Sequence, residues 1–563
     1  MVNCILIKTH YNYNKFTKQI VKRNHLKYFS QYRLIIISAI FFAIFYNLSF
    51  FKNLVLTYPF EGINIIYISS MAILLVSLIV FLFTLLSSKY TTKPLLILLL
   101  TISAFTAYFM DSYNVVIDNS MIRNTLQTNL SESSDLFSFK LVAYIFFLAL
   151  IPSYFVYKIE LDYGTFKEEL FGKLKTLFLS LALVLIILFS FSKFYTSFIR
   201  EHKPLRLYVN PISWIYGVGS YINKTFNSAP LVVKELGTDA KVTVDPKTPK
   251  EEKTELIIMV LGEAARADRF SLNGYEKETN PLLKKEEVVN FSNMYSCGTS
   301  TAESVPCMFS IFGKADYDYK KGISTQNVLD VLNHTNDIKI LWRDNNSDSK
   351  GVALRVDFED YRTSKTNTIC DEECRDEGML VGLEDYIKNN KGKDILIVLH
   401  QMGNHGPAYY KRYPKEFEKF TPVCKSNQLE NCTKEEVSNA YDNAILYTDY
   451  FLSKVINFLK PYSNDYETAM LYMSDHGESL GENGIYLHGL PYFMAPDEQK
   501  HIGSIMWFGG EDIKEDIDVQ KLNSYRNQSF SQDNLFHTLL GLFEVETEVY
   551  KKDLDILYNA KKQ

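Results

Sequence analysis

The sequence predicts a chain in two parts: an N-terminal α-helical transmembrane domain of five spans, then a C-terminal α/β domain with a largely parallel sheet flanked by helices. Three observations carry this reading. The long apolar runs lie almost wholly before about residue 200, while most acidic residues lie after it. Short apolar runs then alternate with helical patterns from Glu255 onward. Six of the seven cysteines fall in the second half. At 563 residues the chain is too long for one ordinary soluble domain. A net charge of −5 without clustered Lys and Arg argues against a nucleic-acid partner.

Five apolar runs approach the ~20 residues that cross a bilayer: Leu34–Phe51, Ile63–Leu86, Pro94–Met110, Leu141–Val156 and Leu174–Phe191. The first follows a long polar stretch and has no small-residue cleavage site behind it, so a cleaved signal peptide is not expected. Lys8, Lys15, Lys18, Lys22, Arg23, Lys27 and Arg33 precede it, and Lys158, Lys167, Lys173 and Lys175 fall between the fourth and fifth runs. That bias places the N-terminus in the cytoplasm. An odd number of spans then puts everything after about residue 195 outside.

Cysteine usage agrees with that topology. Cys4 lies in the expected cytoplasmic tail; Cys297 and Cys307, Cys370 and Cys374, and Cys424 and Cys432 are close neighbours in the outer half. We read these six as disulfides, paired with their neighbours, although six cysteines allow fifteen pairings. A structural zinc site is the competing reading, but no pair of Cys-x-x-Cys knuckles occurs. The domains expected are therefore 1–195 in the membrane, 196–253 as a proline-bearing linker along the membrane surface, and 254–563 as the catalytic α/β domain.

Four runs in that domain read as buried strands: Leu256–Leu261, Ile338–Trp342, Ile395–Leu399 and Ala469–Met473. The clearest helix between them repeats apolar residues from Val437 to Leu459. Ligands of parallel sheets sit beyond the carboxyl ends of the strands. There the chain places Glu263, Ser347 and Lys350, His405, and Asp475 with His476. Carboxylates, imidazoles and a lysine converging on one rim point to a metal site that handles phosphate, with zinc suited to the oxygen and nitrogen donors. The blander reading makes Asp475 a helix cap and His476 a loop histidine.

Cys297-Gly-Thr-Ser-Thr-Ala-Glu-Ser-Val-Pro-Cys307 carries the nucleophile candidate. Ser300 and Glu303 have capping-box spacing, which starts a helix with Thr301 in its first turn, in the positive field of the dipole. A threonine hydroxyl needs activation, most simply by a metal; alternatively Thr301 or Ser300 is merely a cap. His405 and His488 are candidates for protonating a leaving group or binding a second metal. Asn124, Thr128 and Glu132 fall at four-residue steps in a proline-free stretch from Asp118 to Glu132, which stacks them on one helix face. Without further context that face is simply solvated.

These motifs have a family likeness. Gly262-Glu-Ala-Ala-Arg-Ala-Asp268, the Cys297–Cys307 segment, Trp342-Arg-Asp-Asn-Asn-Ser-Asp-Ser-Lys-Gly351, Asn404-His-Gly-Pro407 and Ser474-Asp-His-Gly-Glu-Ser-Leu-Gly-Glu-Asn483 with His488 together resemble the phosphoethanolamine–lipid A transferases. That group includes the mobile colistin-resistance enzymes and belongs to the alkaline-phosphatase-like superfamily. The resemblance implies an alkaline-phosphatase/sulfatase-like fold and a zinc ion held by Glu263, Thr301, Asp475 and His476, with Thr301 accepting the phosphoethanolamine group. It implies substrate or second-metal roles for Ser347, Lys350, His405 and His488, a second zinc arriving with substrate. Asn124, Thr128 and Glu132 would then lie near the donor headgroup. The expected enzyme is a monomer of the bacterial inner membrane with a periplasmic catalytic domain. It would move phosphoethanolamine from phosphatidylethanolamine to lipid A and confer polymyxin resistance. Rival readings are a phosphoglycerol transferase or sulfatase on the same fold, and a transporter or sensor with an outer binding domain. A core sugar or a protein as acceptor would need the same phosphoryl chemistry.

Overall fold

The computed structural model describes residues 29–128, 130–226, 232–243 and 253–562, with the side chains of 130–132, 203 and 224–226 outside that description. Cys4, the basic residues from Lys8 to Lys27 and the side chain of Glu132 thus lie outside the described residues. The chain divides into two compact units. One runs to Asp111 and takes in Phe139–Tyr216; the other holds Ser112–Ser138 and Gly217–Gln563.

Among the described residues, four helices are long and apolar enough to cross a membrane: Ile63–Leu86, Thr92–Tyr113, Phe139–Lys158 and Phe166–Ser190. A bent pair, Gln31–Phe45 and Leu48–Thr57, makes a fifth if it counts as one span. The straight helix expected over Leu34–Phe51 is therefore corrected: it breaks at Tyr46 and Asn47 and bends by 55°. The cause is tertiary. The Asn47 side-chain amide donates to the Phe42 and Asn210 carbonyls at 2.9 and 2.7 Å and accepts from the Asn210 N–H at 2.9 Å. Those bonds tie the break to the chain at Asn210, while the Phe42 carbonyl also keeps its helical bond from the Tyr46 N–H. The Phe139–Lys158 helix contains a π-helical stretch, Ile145–Leu150. Pro152 cannot donate to the Leu148 carbonyl, and the Tyr46 hydroxyl does so instead.

The second unit is built on a seven-stranded sheet. Its strands are β1 (Thr254–Gly262), β2 (Val289–Asn290), β3 (Ile338–Asp344), β4 (Asp357–Asp360), β5 (Asp394–His400), β6 (Tyr466–Ser474) and β7 (Ser504–Gly509), in the order β2-β7-β6-β1-β5-β3-β4. β6, β1, β5, β3 and β4 pair in parallel; β7 runs antiparallel to β6 and β2. The four strands expected from sequence are the adjacent central ones, buried on both faces, which is why they read as unbroken apolar runs.

One apolar layer packs Ile257, Met259, Trp342, Val398, Leu471 and Phe536, while the other packs Ile258, Val260, Leu399, Tyr441, Phe451 and Leu452. The second includes the Lys434–Leu459 helix, which Thr433 and Glu436 start with a capping box. The parallel strands end together on one rim, so Glu263, Asn345, Gln401 and Asp475 follow side by side: the Asn345 N–H bonds to the His400 carbonyl, that of Gln401 to Leu261, and that of Asp475 to Gly262.

Candidate active site

The site begins where β1 and β6 stop. The Asp475 carboxylate accepts the Ala264 and His476 N–H groups through Oδ1 at 3.1 and 2.7 Å, so this acid is aimed by backbone. Ser474 Oγ accepts the Ala265 N–H at 2.7 Å, tying the two loops together. Gly477 has no room for a side chain, since a Cβ there would meet the Glu498 carbonyl oxygen at 2.1 Å. This close approach is why the Asp-His pair is followed by glycine.

Thr301 opens a helix, Thr301–Met308, as the capping-box spacing predicts, but the box itself does not form. Ser300 makes no side-chain cap bond, and Glu303 lies in the field of Lys314 instead. The helix is held by Ser304, whose hydroxyl reaches the Asp475 carbonyl at 2.5 Å and Gln532 Oε1 at 2.7 Å. Disulfides join Cys297 to Cys307, Cys370 to Cys374 and Cys424 to Cys432, the neighbour pairing expected. The first encloses Thr301 in its loop.

Four donor atoms meet at one point. Thr301 Oγ1 donates to Glu263 Oε2 at 3.2 Å and lies 3.4 Å from His476 Nε2. His476 Nε2 lies 3.3 Å from both Glu263 Oε1 and Asp475 Oδ2. Glu263, Asp475 and His476 are fully buried. His476 Nδ1 is 2.8 Å from the Gly477 carbonyl, which can only accept, so Nδ1 carries the proton. Burial lowers the His476 pKa to about 4, leaving the ring neutral. Its Nε2 lone pair therefore faces two carboxylate oxygens at close range, and Asp475 Oδ2 has no hydrogen-bond donor among the described residues. Anionic oxygens and an imidazole lone pair gathered out of water require a cation among them. The donor set of Glu263, Asp475 and His476, with the Thr301 hydroxyl beside it, fits a divalent metal, and zinc matches its mixture of oxygen and nitrogen.

His405 and His488 belong to the same cluster. The His488 ring centroid is 4.2 Å from that of His476 and 5.5 Å from that of His405. Glu478 was missed from sequence although it stands inside the Asp-His-Gly-Glu run. Its Oε2 is 2.7 Å from His488 Nδ1, and its Oε1 accepts the Tyr409 hydroxyl at 2.7 Å. Burial pushes the Glu478 carboxyl up, but His488 and the Tyr409 hydroxyl bring it below the ordinary range. Asn346 was missed as well. Its amide donates to Glu263 Oε2 at 2.8 Å and to the Gln401 carbonyl at 2.7 Å, fixing the acid beside Thr301.

Ser347 and Lys350 follow β3 and line a cavity of about 540 Å³ with Gln127, Tyr319, Pro306 and Arg355. Lys350 sits at φ 51° and donates to the Ser347 carbonyl at 2.8 Å and the Gln127 carbonyl at 3.4 Å. Gln127 brings the 112–138 segment to this cavity. The single helix expected from Asp118 to Glu132 is corrected to two, Asn119–Gln127 and Leu130–Asp135. Thr128 is extended, and its hydroxyl donates to the Asn124 carbonyl at 2.8 Å, taking the place of a continued helical bond. Asn124 and Thr128 remain adjacent, and Glu132 belongs to the following helix.

Comparison with known proteins agrees with this geometry. The family model described as Sulfatase matches residues 255–545, and that described as Phosphoethanolamine transferase EptA/EptB matches residues 75–226. The chain is 45% identical to phosphatidylethanolamine transferase Mcr-1 of Escherichia coli over 93% of its own length and 96% of that protein. It is 38% identical to phosphoethanolamine transferase EptA of E. coli K12, covering 97% and 99% of the two. Among solved structures, the integral membrane lipooligosaccharide phosphoethanolamine transferase A of Neisseria meningitidis superimposes with a TM-score of 0.89 at 34% identity, covering 94% of this chain and 99% of that one. A sheet of mainly parallel strands, the Thr301–Met308 helix beside a buried cluster of candidate metal ligands and similarity along nearly the whole length lead to one assignment: the chain belongs to the phosphoethanolamine transferase family.

Proposed function

We propose that this protein transfers phosphoethanolamine from phosphatidylethanolamine to lipid A through a covalent phosphothreonine on Thr301. The observation that supports it is the Thr301 hydroxyl, 3.2 Å from Glu263 Oε2 and 3.4 Å from His476 Nε2 at the start of a helix. In the first half-reaction Thr301 Oγ1 bonds to the donor phosphorus as the bond to the diacylglycerol oxygen breaks. The hydroxyl proton is directed at Glu263, the carboxylate placed to take it. Diacylglycerol leaves with a proton from His405 or His488, whose rings stand together. In the second, a lipid A phosphate oxygen bonds to the same phosphorus and gives its proton to the histidine that protonated diacylglycerol, the Thr301 ester breaks, and Thr301 Oγ1 recovers its proton from Glu263.

Zinc held by Glu263, Thr301, Asp475 and His476 supplies Lewis acidity and lowers the pKa of the Thr301 hydroxyl. The alternative role of His405 and His488, in place of proton transfer, is to hold a second ion that would arrive with substrate. Ser347, Lys350, Asn124, Thr128 and Glu132 are assigned to the donor headgroup. The enzyme acts as a monomer in the bacterial inner membrane. Its N-terminus is cytoplasmic and its catalytic domain periplasmic, the topology that the basic residues of the first part favour. An added ammonium offsets phosphate charge, so cationic peptides such as polymyxin bind the modified lipid less well.

Mass spectrometry of lipid A from cells with and without the protein tests the reading. The expected result is a phosphoethanolamine increment that depends on Thr301. Unmodified lipid A in cells whose membranes contain the protein excludes this acceptor.

A further inference from the structure

We propose that Asp135 and Arg412 form a buried latch that positions the 112–138 segment for the lipid donor, so that both are positioning residues of the transfer reaction. The inference rests on the donor reading above. Asp135 ends the Leu130–Asp135 helix and is 5% exposed, and Arg412 is 4% exposed. One guanidinium serves three partners. Its Nη2 donates to Asp135 Oδ2 at 2.5 Å, its Nε to the His405 carbonyl at 2.6 Å, and its Nη1 to Glu373, inside the Cys370–Cys374 loop. Lys411 Nζ reaches Asp135 Oδ1 at 2.7 Å, and the Asn427 amide donates to the Asp135 carbonyl at 2.8 Å.

The far end of the segment is fastened separately. The Arg123 guanidinium lies 4.0 Å from the Tyr319 ring centroid, and the Lys350 ammonium reaches the Gln127 carbonyl. Asn124 and Thr128 lie in the stretch between these two attachments. A buried ion pair is weak evidence for stability, but it fixes the register of what it joins. Here it joins the donor segment to the backbone of His405. Asp135→Asn weakens that join while leaving Arg412 charged against Glu373 and bonded to His405, so no guanidinium is orphaned.

The test uses full-length enzyme in nanodiscs, with diacylglycerol release from phosphatidylethanolamine, hydrolysis of a soluble phosphodiester and bound zinc measured side by side. Asp135→Asn is expected to raise the KM for the lipid donor about tenfold with kcat little changed. Soluble hydrolysis and zinc content stay at wild-type values, and Asp135→Glu recovers most of the KM. Arg412→Gln raises the same KM and also slows soluble hydrolysis, because His405 loses its carbonyl anchor. If Asp135→Asn does not accumulate, Lys411→Met reads the same link from its half-exposed side. A donor KM within about twofold of wild type in whichever variant folds, or equal losses on lipid and soluble substrates in Asp135→Asn or Lys411→Met, overturns the latch. Wild-type enzyme that releases no diacylglycerol would instead overturn the donor reading itself.

Discussion

Glu478 holds His488: the carboxylate Oε2 lies 2.7 Å from the imidazole Nδ1, and the Tyr409 hydroxyl fixes the other oxygen at 2.7 Å. A proton on Nδ1 shared with this acid leaves Nε2 as the working nitrogen, beside the rings of His476 and His405. Glu478→Gln keeps the shape of the site but removes the carboxylate that orients the His488 ring. We expect turnover to fall about a hundredfold, with zinc content unchanged and the alkaline limb of the pH–rate profile altered, because a proton donor is lost as pH rises. A profile identical to that of the wild type would remove His488 from proton transfer.

Metal binding should follow the four-donor cluster. Chelation abolishes transfer, and zinc restores it. Asp475→Ala, Glu263→Ala and His476→Ala each lower bound zinc as well as rate. Asn346→Ala is expected to weaken zinc affinity about tenfold, because Glu263 loses the amide that aims it. Equilibrium dialysis against a zinc indicator reads both effects without reference to activity.

The Cys297–Cys307 link should be oxidised in protein isolated without reductant, as peptide mapping would reveal. It closes a loop with a sequence separation of 10. Replacing both cysteines with serine should cost roughly 2–3 kcal/mol of stability on the loop-entropy account. Activity should fall further than stability alone explains, since the loop carries Thr301. Free thiols at these two positions would contradict the arrangement.

Lys350 sits in a left-handed conformation with its ammonium over two carbonyl oxygens at the edge of the cavity. Lys350→Met removes the charge and keeps most of the volume. The KM for phosphatidylethanolamine should rise about tenfold while zinc content is retained. An unchanged KM would take Lys350 out of donor binding.

Much of this was legible in the sequence because burial leaves a strong pattern. The central strands are covered on both faces, so Leu256–Leu261 and its partners appear as continuous apolar runs, and their carboxyl ends locate Glu263 and Asp475. The edge strand Asp357–Asp360 is polar and leaves no such trace. The bend at Asn47 arises from a side-chain pairing with Asn210, far away in sequence, within an otherwise unbroken apolar run. The helix break at Thr128 is decided by a local hydroxyl bond that helical spacing cannot register. Glu478 and Asn346 stood in the quoted motifs, but their roles depend on two side-chain hydrogen bonds each, which only the fold sets.

The central claim is that Thr301 becomes phosphorylated by the donor. Incubating the full-length enzyme with phosphatidylethanolamine, digesting it and mapping the products by mass spectrometry tests this directly. The account predicts a phosphoethanolamine adduct on the Thr301 peptide, absent from a Thr301→Ala variant that still binds zinc and no longer transfers. An adduct on another residue, or transfer surviving in Thr301→Ala, would contradict it.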